Sequence, residues 1–421
     1  MPQLPSRPDP PAALPYGRQW ISEEDIEAVA AVLRSEWLTC GPRVEEFETR
    51  FAAKVGARHA IAMNNATSAL HVAMQVAGVG HGDRLLTSPN TFLASANCAA
   101  YAGARPDFVD IDPVSYNLSP AALEDSWGGG AKAVVAVDYA GQPCDMPSLY
   151  EIANRRGAVV IEDACHAVGG GFEHGGSFWN LGGHPWADMT VFSFHPVKTM
   201  TTGEGGMLVT DNKRWAEQAR RLRSHGVERR NFVGLGALDD AALNERGPWY
   251  HEMQELGQNY RITDMQCALG ISQLSRLDSF VERRREIVDR YNEAFSGVPW
   301  LVRPGVCAPA NSAHIAWHLY TLQIDFGALG KTRTQAMDEL RQIGVNTQVL
   351  YIPVHLQPWY RGTYGYGPAK CPVAENFYKH ALSLPLYPAM SDADVERVIE
   401  AVRDLAVGKL AAQTVSEANH P

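Results

Sequence analysis

Two spacings of apolar residues alternate along most of the chain, one of a helix face and one of a buried strand. Behind Ser22, with Asp25 three residues on, Ile26, Val29, Ala30 and Leu33 recur at helical spacing. Pro42 opens a second helix through Val44, Phe47, Phe51 and Val55, and Gly56 stops it. Short apolar runs then predict strands at residues 60–63, 84–87, 106–109, 133–137, 159–161, 189–194 and 206–209. Helical patterns fall between several of them, at 67–76, 94–101 and 147–155. Such alternation predicts an α/β domain on a largely parallel sheet.

A long charge-laced helix is predicted over 263–292, with Met265, Leu269, Leu274, Leu277 and Val281 among its apolar positions. Beyond Pro299 the character changes. Strands at 318–324 and 345–350 interleave with helices at 332–342 and 392–405, a compact α+β unit. The resulting division is a Pro-rich lead (1–15), a large domain (16–280), a smaller C-terminal domain (281–408) and a tail (409–421). No internal repeat is visible.

Composition narrows the function classes. With 45% hydrophobic and 20% charged residues over 421 positions, the chain suits a soluble globular protein with a sizeable core. A formal charge of −10 argues against a general binder of nucleic acid or anionic membrane. An anionic substrate has to be met by a local basic patch. The seven cysteines are scattered without a C-x-x-C pair, which fits reduced thiols better than a disulfide framework or a zinc ribbon. Neither a signal-peptide pattern nor an apolar run of about 20 residues occurs, so the expectation is a cytoplasmic protein.

Three segments carry candidate chemistry. Asn65-Ala66-Thr67-Ser68 follows a strand and opens a helix, whose free N–H groups and positive dipole end, with two hydroxyls, can cradle a phosphate. Ordinary N-capping explains the same residues. Val159 to Ile161 runs into Glu162 and Asp163, and carboxyl ends of strands are where open α/β sheets bind ligands. A carboxylate there can hold a protonated pyridine nitrogen, or be a plain salt-bridged strand end. Phe192-Ser193-Phe194-His195-Pro196-Val197-Lys198 delivers Ser193 and Lys198 to a turn before Gly203-Glu204-Gly205-Gly206. A lysine with its ammonium disfavoured can act as nucleophile and Schiff base. Together the segments provide a phosphate grip, a ring-nitrogen partner and an aldehyde partner. Those are the parts of a site for pyridoxal 5'-phosphate (PLP).

With these motifs the chain resembles the DegT/StrS family of sugar aminotransferases from about Tyr16 to about Leu386. The resemblance implies the fold-type-I, aspartate aminotransferase-like architecture: a large domain with a mostly parallel sheet and a smaller C-terminal α+β domain. It implies PLP as cofactor, with pyridoxamine phosphate formed on the way, and Lys198 as its Schiff-base lysine. Asp163 matches the pyridine-nitrogen partner, His166 the residue beside the ring hydroxyl, and Phe92 the aromatic that stacks on the ring. Thr67, Ser68 and Ser193 match phosphate ligands. Asn259, within Gln258-Asn259-Tyr260-Arg261, matches a residue that reaches the neighbouring subunit's phosphate, which implies a homodimer with shared sites.

A narrower likeness is to the branch that aminates C4 of a UDP-linked 4-keto-6-deoxy-N-acetylhexosamine in pseudaminic acid synthesis, with L-glutamate as donor. It rests on Leu38-Thr39, Val137-Asp138-Tyr139-Ala140-Gly141, Arg223-Ser224-His225-Gly226, Pro248-Trp249-Tyr250 and the His195-to-Lys198 tract. Sugar contacts implied by the likeness are Tyr16, Leu38, Thr39, Ala66, His195, Arg223, His225, Arg261 and Tyr351. The chain departs from many relatives at Ala66, at Cys40 and in its longer segment 178–186.

Other readings remain open. Amination at C3 or C4 of another UDP- or dTDP-keto-sugar fits the same residues, while retention of all three cofactor groups argues against a catalytically silent ligand-binding relative. A family dehydratase is disfavoured by the presence of Lys198. Cys165, His166, His174 and His184 lie close in sequence but lack metal-ligand spacing, and no metal is expected. Neither the run Gly128-Gly129-Gly130 nor Gly234-x-Gly236 joins a strand to a helix in the dinucleotide pattern.

Overall fold

The computed structural model describes residues 13–234 and 247–406; most of the Pro-rich lead, the tail and Gly236 lie outside the described residues. Helices α1 (Glu23–Leu33) and α2 (Pro42–Val55) precede the first strand, β1 (His59–Met63). The α/β alternation follows as α3 (Ala66–Val76), β2 (Arg84–Thr87), α4 (Ala94–Tyr101), β3 (Arg105–Phe108), α5 (Pro120–Ser126), β4 (Ala131–Val137), α6 (Met146–Asn154) and β5 (Val159–Asp163). A hairpin, β6 (Gly171–His174) and β7 (Ser177–Asn180), then leads to β8 (Met189–Ser193) and β9 (Gly206–Thr210).

Seven strands form one sheet in the order β1-β9-β8-β5-β4-β2-β3. The pairs from β8 through β3 are parallel, and β9 turns back antiparallel on both β8 and β1. Both faces of the sheet are covered by apolar side chains from the flanking helices, as a parallel sheet requires. Register aligns Val137 with Asp163 and Asp163 with Val191. Asp138, Asp163 and Ser193 therefore leave the sheet along one edge, at the carboxyl ends of adjacent strands.

After α7 (Lys213–Arg223) come the short pair β10 (Val227–Glu228) and β11 (Glu252–Met253), then α8 (Asp264–Ser275) and α9 (Leu277–Ala294). The C-terminal part consists of β12 (Leu301–Val302), β13 (Tyr320–Ile324), α10 (Arg333–Gln342), α11 (Pro358–Tyr364), α12 (Pro372–His380), β14 (Ala381–Leu384) and α13 (Asp392–Asp404). Its three strands make a separate antiparallel sheet. Along α9 the apolar contacts divide. Leu277 and Val281 pack into the core of the large sheet, and Ile287, Val288 and Tyr291 into the C-terminal core. We propose the domain boundary within this helix.

Three expectations need correction. The single helix over 263–292 is two, broken at Arg276, whose guanidinium turns to the buried Asp25 carboxylate. Periodicity could not reveal the break, because the apolar stripe continues through it. The strand expected at 345–350 is extended chain with two isolated bridges, Leu14 to Val345 and Gln348 to Ser383. Its partners arrive from residues far away in sequence and touch it at single points. On α1 the Ser22 N–H meets Asp25 as expected, at 3.0 Å, yet Asp25 and Val32 are the buried residues. Ile26 and Leu33 are 53% and 58% exposed. No described helix is long and apolar enough to cross a membrane.

Candidate active site

The Asp163 side chain is buried and held from two sides. Its Oδ2 accepts a hydrogen bond from Ser95 Oγ at 2.6 Å, and its Oδ1 accepts from the Cys165 N–H at 3.2 Å. Ser95 is fixed in turn by Thr91, the two hydroxyls lying 2.7 Å apart. Next to it, burial and the Glu162 carboxylate push the buried Asp138 carboxyl well above its usual range. Glu162 points to the other face of the sheet. There it meets His184 Nε2 at 2.9 Å and accepts from Thr190 Oγ1 and the Gly182 N–H. Glu162 is thus a hydrogen-bonded strand end, while Asp163 turns the other way, toward Ser95 and Cys165.

Beyond Ser193 the chain folds over itself. Phe194 and Gly205 bond through their backbones at 2.9 Å, Thr202 N–H returns to the Phe194 carbonyl, and Lys198 N–H closes a turn on the His195 carbonyl at 2.8 Å. Lys198 is half-buried. Burial pushes its ammonium below the ordinary value, opposed by Cys165 and Asp163, which favour the charge. An amine so placed gains neutral, nucleophilic character while keeping a carboxylate nearby.

The helix start of α3 lies beside this turn because Gly206 permits it. A Cβ at 206 would sit 2.4 Å from the Asn65 carbonyl carbon and 2.5 Å from the Ala66 nitrogen. Gly206 pairs with Ser193 in the sheet, so Ser193 and the N-terminus of α3 become neighbours. Asn65 caps the helix by accepting from the Ser68 N–H at 2.8 Å, and Ser68 Oγ donates to Asn64 and Asn65. No described acceptor takes the Thr67 hydroxyl or the N–H groups of Ala66 and Thr67. They remain available to an anion at a positive helix end.

His166, Tyr351, Phe92 and Tyr16 join the group from four parts of the chain. His166 Nε2 lies 3.1 Å from Tyr351 Oη, and the Tyr351 and Phe92 rings are 6.2 Å apart between centroids. A Cβ at Gly17 would lie 3.5 Å from Val197 in the lysine turn, so Tyr16 runs alongside that turn. His318 was not foreseen. Its ring is 4.5 Å from that of His166, it is buried, and its Nδ1 has no partner. The available signal was a histidine interrupting the apolar run Ile315 to Tyr320. For Ser95 the sequence offers no signal, since the contact spans 68 residues.

A second set adjoins the start of α3, where the Asn64 N–H donates to the Tyr260 carbonyl at 2.9 Å. Asn259 bridges to Ser224 in the backbone, and Arg261 and His225 line a cavity of about 1430 Å³ with Trp37, Glu45 and Arg229. Arg223 reaches that cavity but is committed to Glu48, at 2.6 Å, and to the Ala62 carbonyl. Among the described residues the guanidinium groups of Arg229 and Arg261 have no ion pair. Thr39 bridges to Thr263, and the Leu38 carbonyl accepts from Asp264. His195 is exposed at the lysine turn, and Ala66 is the first residue of α3. Of the four residues weighed as a metal cluster, His184 pairs with Glu162 and His174 lies edge-on to Trp186, both away from Cys165 and His166.

The first group fits PLP. A helix start with free donors suits its phosphate, Asp163 its ring nitrogen and the Lys198 amine its aldehyde. The comparisons agree. The model of the DegT/DnrJ/EryC1/StrS aminotransferase family matches residues 19–403. The spore coat polysaccharide biosynthesis protein SpsC of Bacillus subtilis is 43% identical over 399 residues, 94% of this chain and 97% of the relative. Among solved structures, PseC of Helicobacter pylori, an aminotransferase involved in the biosynthesis of pseudoaminic acid, superposes with a TM-score of 0.83. It is 28% identical, with 94% of this chain and 99% of that one covered. The PLP form of the sugar aminotransferase Spr1654 from Streptococcus pneumoniae gives a TM-score of 0.83 at 26% identity, covering 94% and 99%. With fold, site and relatives in agreement, this chain belongs to the DegT/DnrJ/EryC1/StrS family and is a PLP-dependent sugar aminotransferase.

Proposed function

We propose that the chain transfers an amino group from L-glutamate to C4 of a UDP-linked 4-keto-6-deoxy-N-acetylhexosamine. The products are UDP-4-amino-4,6-dideoxy-N-acetyl-β-L-altrosamine and 2-oxoglutarate, a step in pseudaminic acid biosynthesis. The observation behind the sugar is the likeness to PseC along 94% of the chain. The observation behind the chemistry is that Lys198, Asp163 and the start of α3 meet at one edge of the sheet.

Bound PLP supplies an electron sink for the carbon that loses its proton. The chain's residues do the rest. Lys198 Nζ would hold the cofactor covalently and, when free, would be the base that moves the substrate's proton. Asp163 keeps the ring nitrogen protonated. Thr67, Ser68, Ser193 and the N–H groups of α3 would take the phosphate, and Phe92 would lie against the ring.

Each site in this reading is completed by a second copy. The family likeness assigns Asn259 to the neighbouring subunit's phosphate, and the cavity lined by Arg229 and Arg261, which have no ion pair among the described residues, offers cations that a nucleotide diphosphate needs. Trp20, Ile21, Ile26, Leu33, Trp37 and Leu38 are each at least 40% exposed, apolar surface for a second copy to cover. Purified protein should be yellow and bleach on adding glutamate. NMR of the products from a panel of UDP- and dTDP-keto-sugars then decides the sugar. Turnover only of a dTDP-sugar, or amination at C3, would replace the sugar assignment while leaving the chemistry in place.

A further inference from the structure

A neutral imidazole has one donor and one acceptor nitrogen, so fixing one fixes the other. The Ala140 N–H donates to His166 Nδ1 at 3.3 Å. Ala140 is held rigidly, at a φ of 59° in a turn whose carbonyl accepts from the N–H groups of His318 and Leu319. The next residue, Gly141, is wedged so tightly that a Cβ would lie 2.0 Å from the Ala316 carbonyl oxygen. His166 Nδ1 is therefore the acceptor. Burial and the nearby Lys198 hold the imidazolium form well below its ordinary range, so the ring is neutral and its proton sits on Nε2. That proton goes to Tyr351 Oη, 3.1 Å away.

Tyr351 must then direct its own O–H elsewhere. Burial keeps the phenol protonated, and among the described residues no acceptor receives that proton. The Tyr351 ring lies 6.1 Å from the His166 ring, nearly parallel to it at 24°, and 6.2 Å from the exposed Phe92 ring, which places its hydroxyl in the same group as the lysine turn. Both ring nitrogens of His166 are already engaged by protein. The contact that family likeness gave to His166 thus has its free donor on Tyr351.

We propose that Tyr351 donates its hydroxyl proton to an oxygen of the bound molecules, either the cofactor's ring oxygen or a sugar oxygen, and that His166 acts through it as a positioning residue. The inference rests on the aminotransferase reading above. Wild-type protein that is neither yellow nor bleached by glutamate would count against that reading instead.

Tyr351→Phe removes the donor and keeps the shape. If the acceptor is the ring oxygen, the cofactor's absorption band shifts, and its affinity falls by about tenfold without any sugar present. If it is a sugar oxygen, the spectrum and the glutamate half-reaction stay as in wild type while KM for the sugar rises by about tenfold. His166→Asn retains an acceptor near the Nδ1 position but loses the Nε2 donor. It should reproduce the Tyr351→Phe change, and the double variant should be no worse. In the cofactor-free protein, 15N shifts should place the His166 proton on Nε2. A proton on Nδ1, a Tyr351→Phe protein with wild-type spectrum, cofactor affinity and sugar KM, or additive effects in the double variant would overturn the proposal.

Discussion

Ser95 Oγ lies 2.6 Å from Asp163 Oδ2, across 68 residues of sequence. Ser95 lies in the first turn of α4 and Asp163 ends β5, so packing of that helix on the sheet sets the carboxylate's orientation. Ser95→Ala should weaken cofactor binding by about tenfold, the loss of one hydrogen bond to a charged group, with little change in unfolding temperature. Asp163→Asn should still bind PLP, more weakly. Its turnover should fall by several powers of ten, a loss on the order of 4 kcal/mol for a catalytic electrostatic group. Fluorescence titration and steady-state rates check both. A near-wild-type rate for Asp163→Asn would remove the ring-nitrogen role.

Borohydride reduction followed by peptide mapping should place the pyridoxyl adduct on Lys198. Lys198→Ala should keep the fold, lose the yellow band and abolish turnover. An adduct on Lys132, Lys213 or Lys331 would falsify the assignment.

Gly206→Ala tests the joint between β9 and α3. The added methyl meets backbone, which cannot swing away, so the helix start must move. Strain on the order of 1–3 kcal/mol should lower the unfolding temperature, and displaced phosphate donors should weaken PLP binding. Unchanged binding with lowered stability would separate the joint from the phosphate.

Mixed dimers test the shared site. A Lys198→Ala subunit paired with an Asn259→Ala subunit has one site with both lesions and one with neither. Activity should approach about half of wild type per dimer. A mixed dimer no better than the average of its parents, or a fully active monomer in sedimentation-checked assays, would leave Asn259 within its own subunit.

His318 makes stability depend on acid. Burial, with Lys198, His166 and Arg284 nearby, holds its imidazolium well below the ordinary value of 6.5. The folded protein therefore excludes a proton that the unfolded chain takes up below that pH. The neutral ring's share of stability is complete above about pH 6.5 and is lost as pH falls from there toward the depressed value. The slope is up to about 1.4 kcal/mol per pH unit. His318→Gln should flatten urea-denaturation stability against pH between about 6.5 and 5. Parallel curves for variant and wild type would show that His318 takes up no proton on unfolding.

The sequence by itself carried the alternating elements, the phosphate-type helix start, the strand-end Asp163 and the lysine turn. Each of these is written in consecutive residues: apolar spacing, a cap, a polar break after an apolar run. Local physics decides such features wherever the chain ends up. The lone histidine in the run Ile315 to Tyr320 was visible in the same way, but nothing nearby said what it would meet.

Only the tertiary structure decided who meets whom. Sheet order put β4, β5 and β8 side by side and so joined Asp163 to the Lys198 turn. Helix packing chose Ser95 as the partner of Asp163, and a turn from another strand fixed the tautomer of His166. The break at Arg276 followed from a buried carboxylate on α1, and the exposure of Ile26 and Leu33 from what α1 packs against. The physical reason is common to all of these. A hydrogen bond between residues distant in sequence depends on the position and angle of two packed elements, and periodicity specifies a residue's face but not its partner.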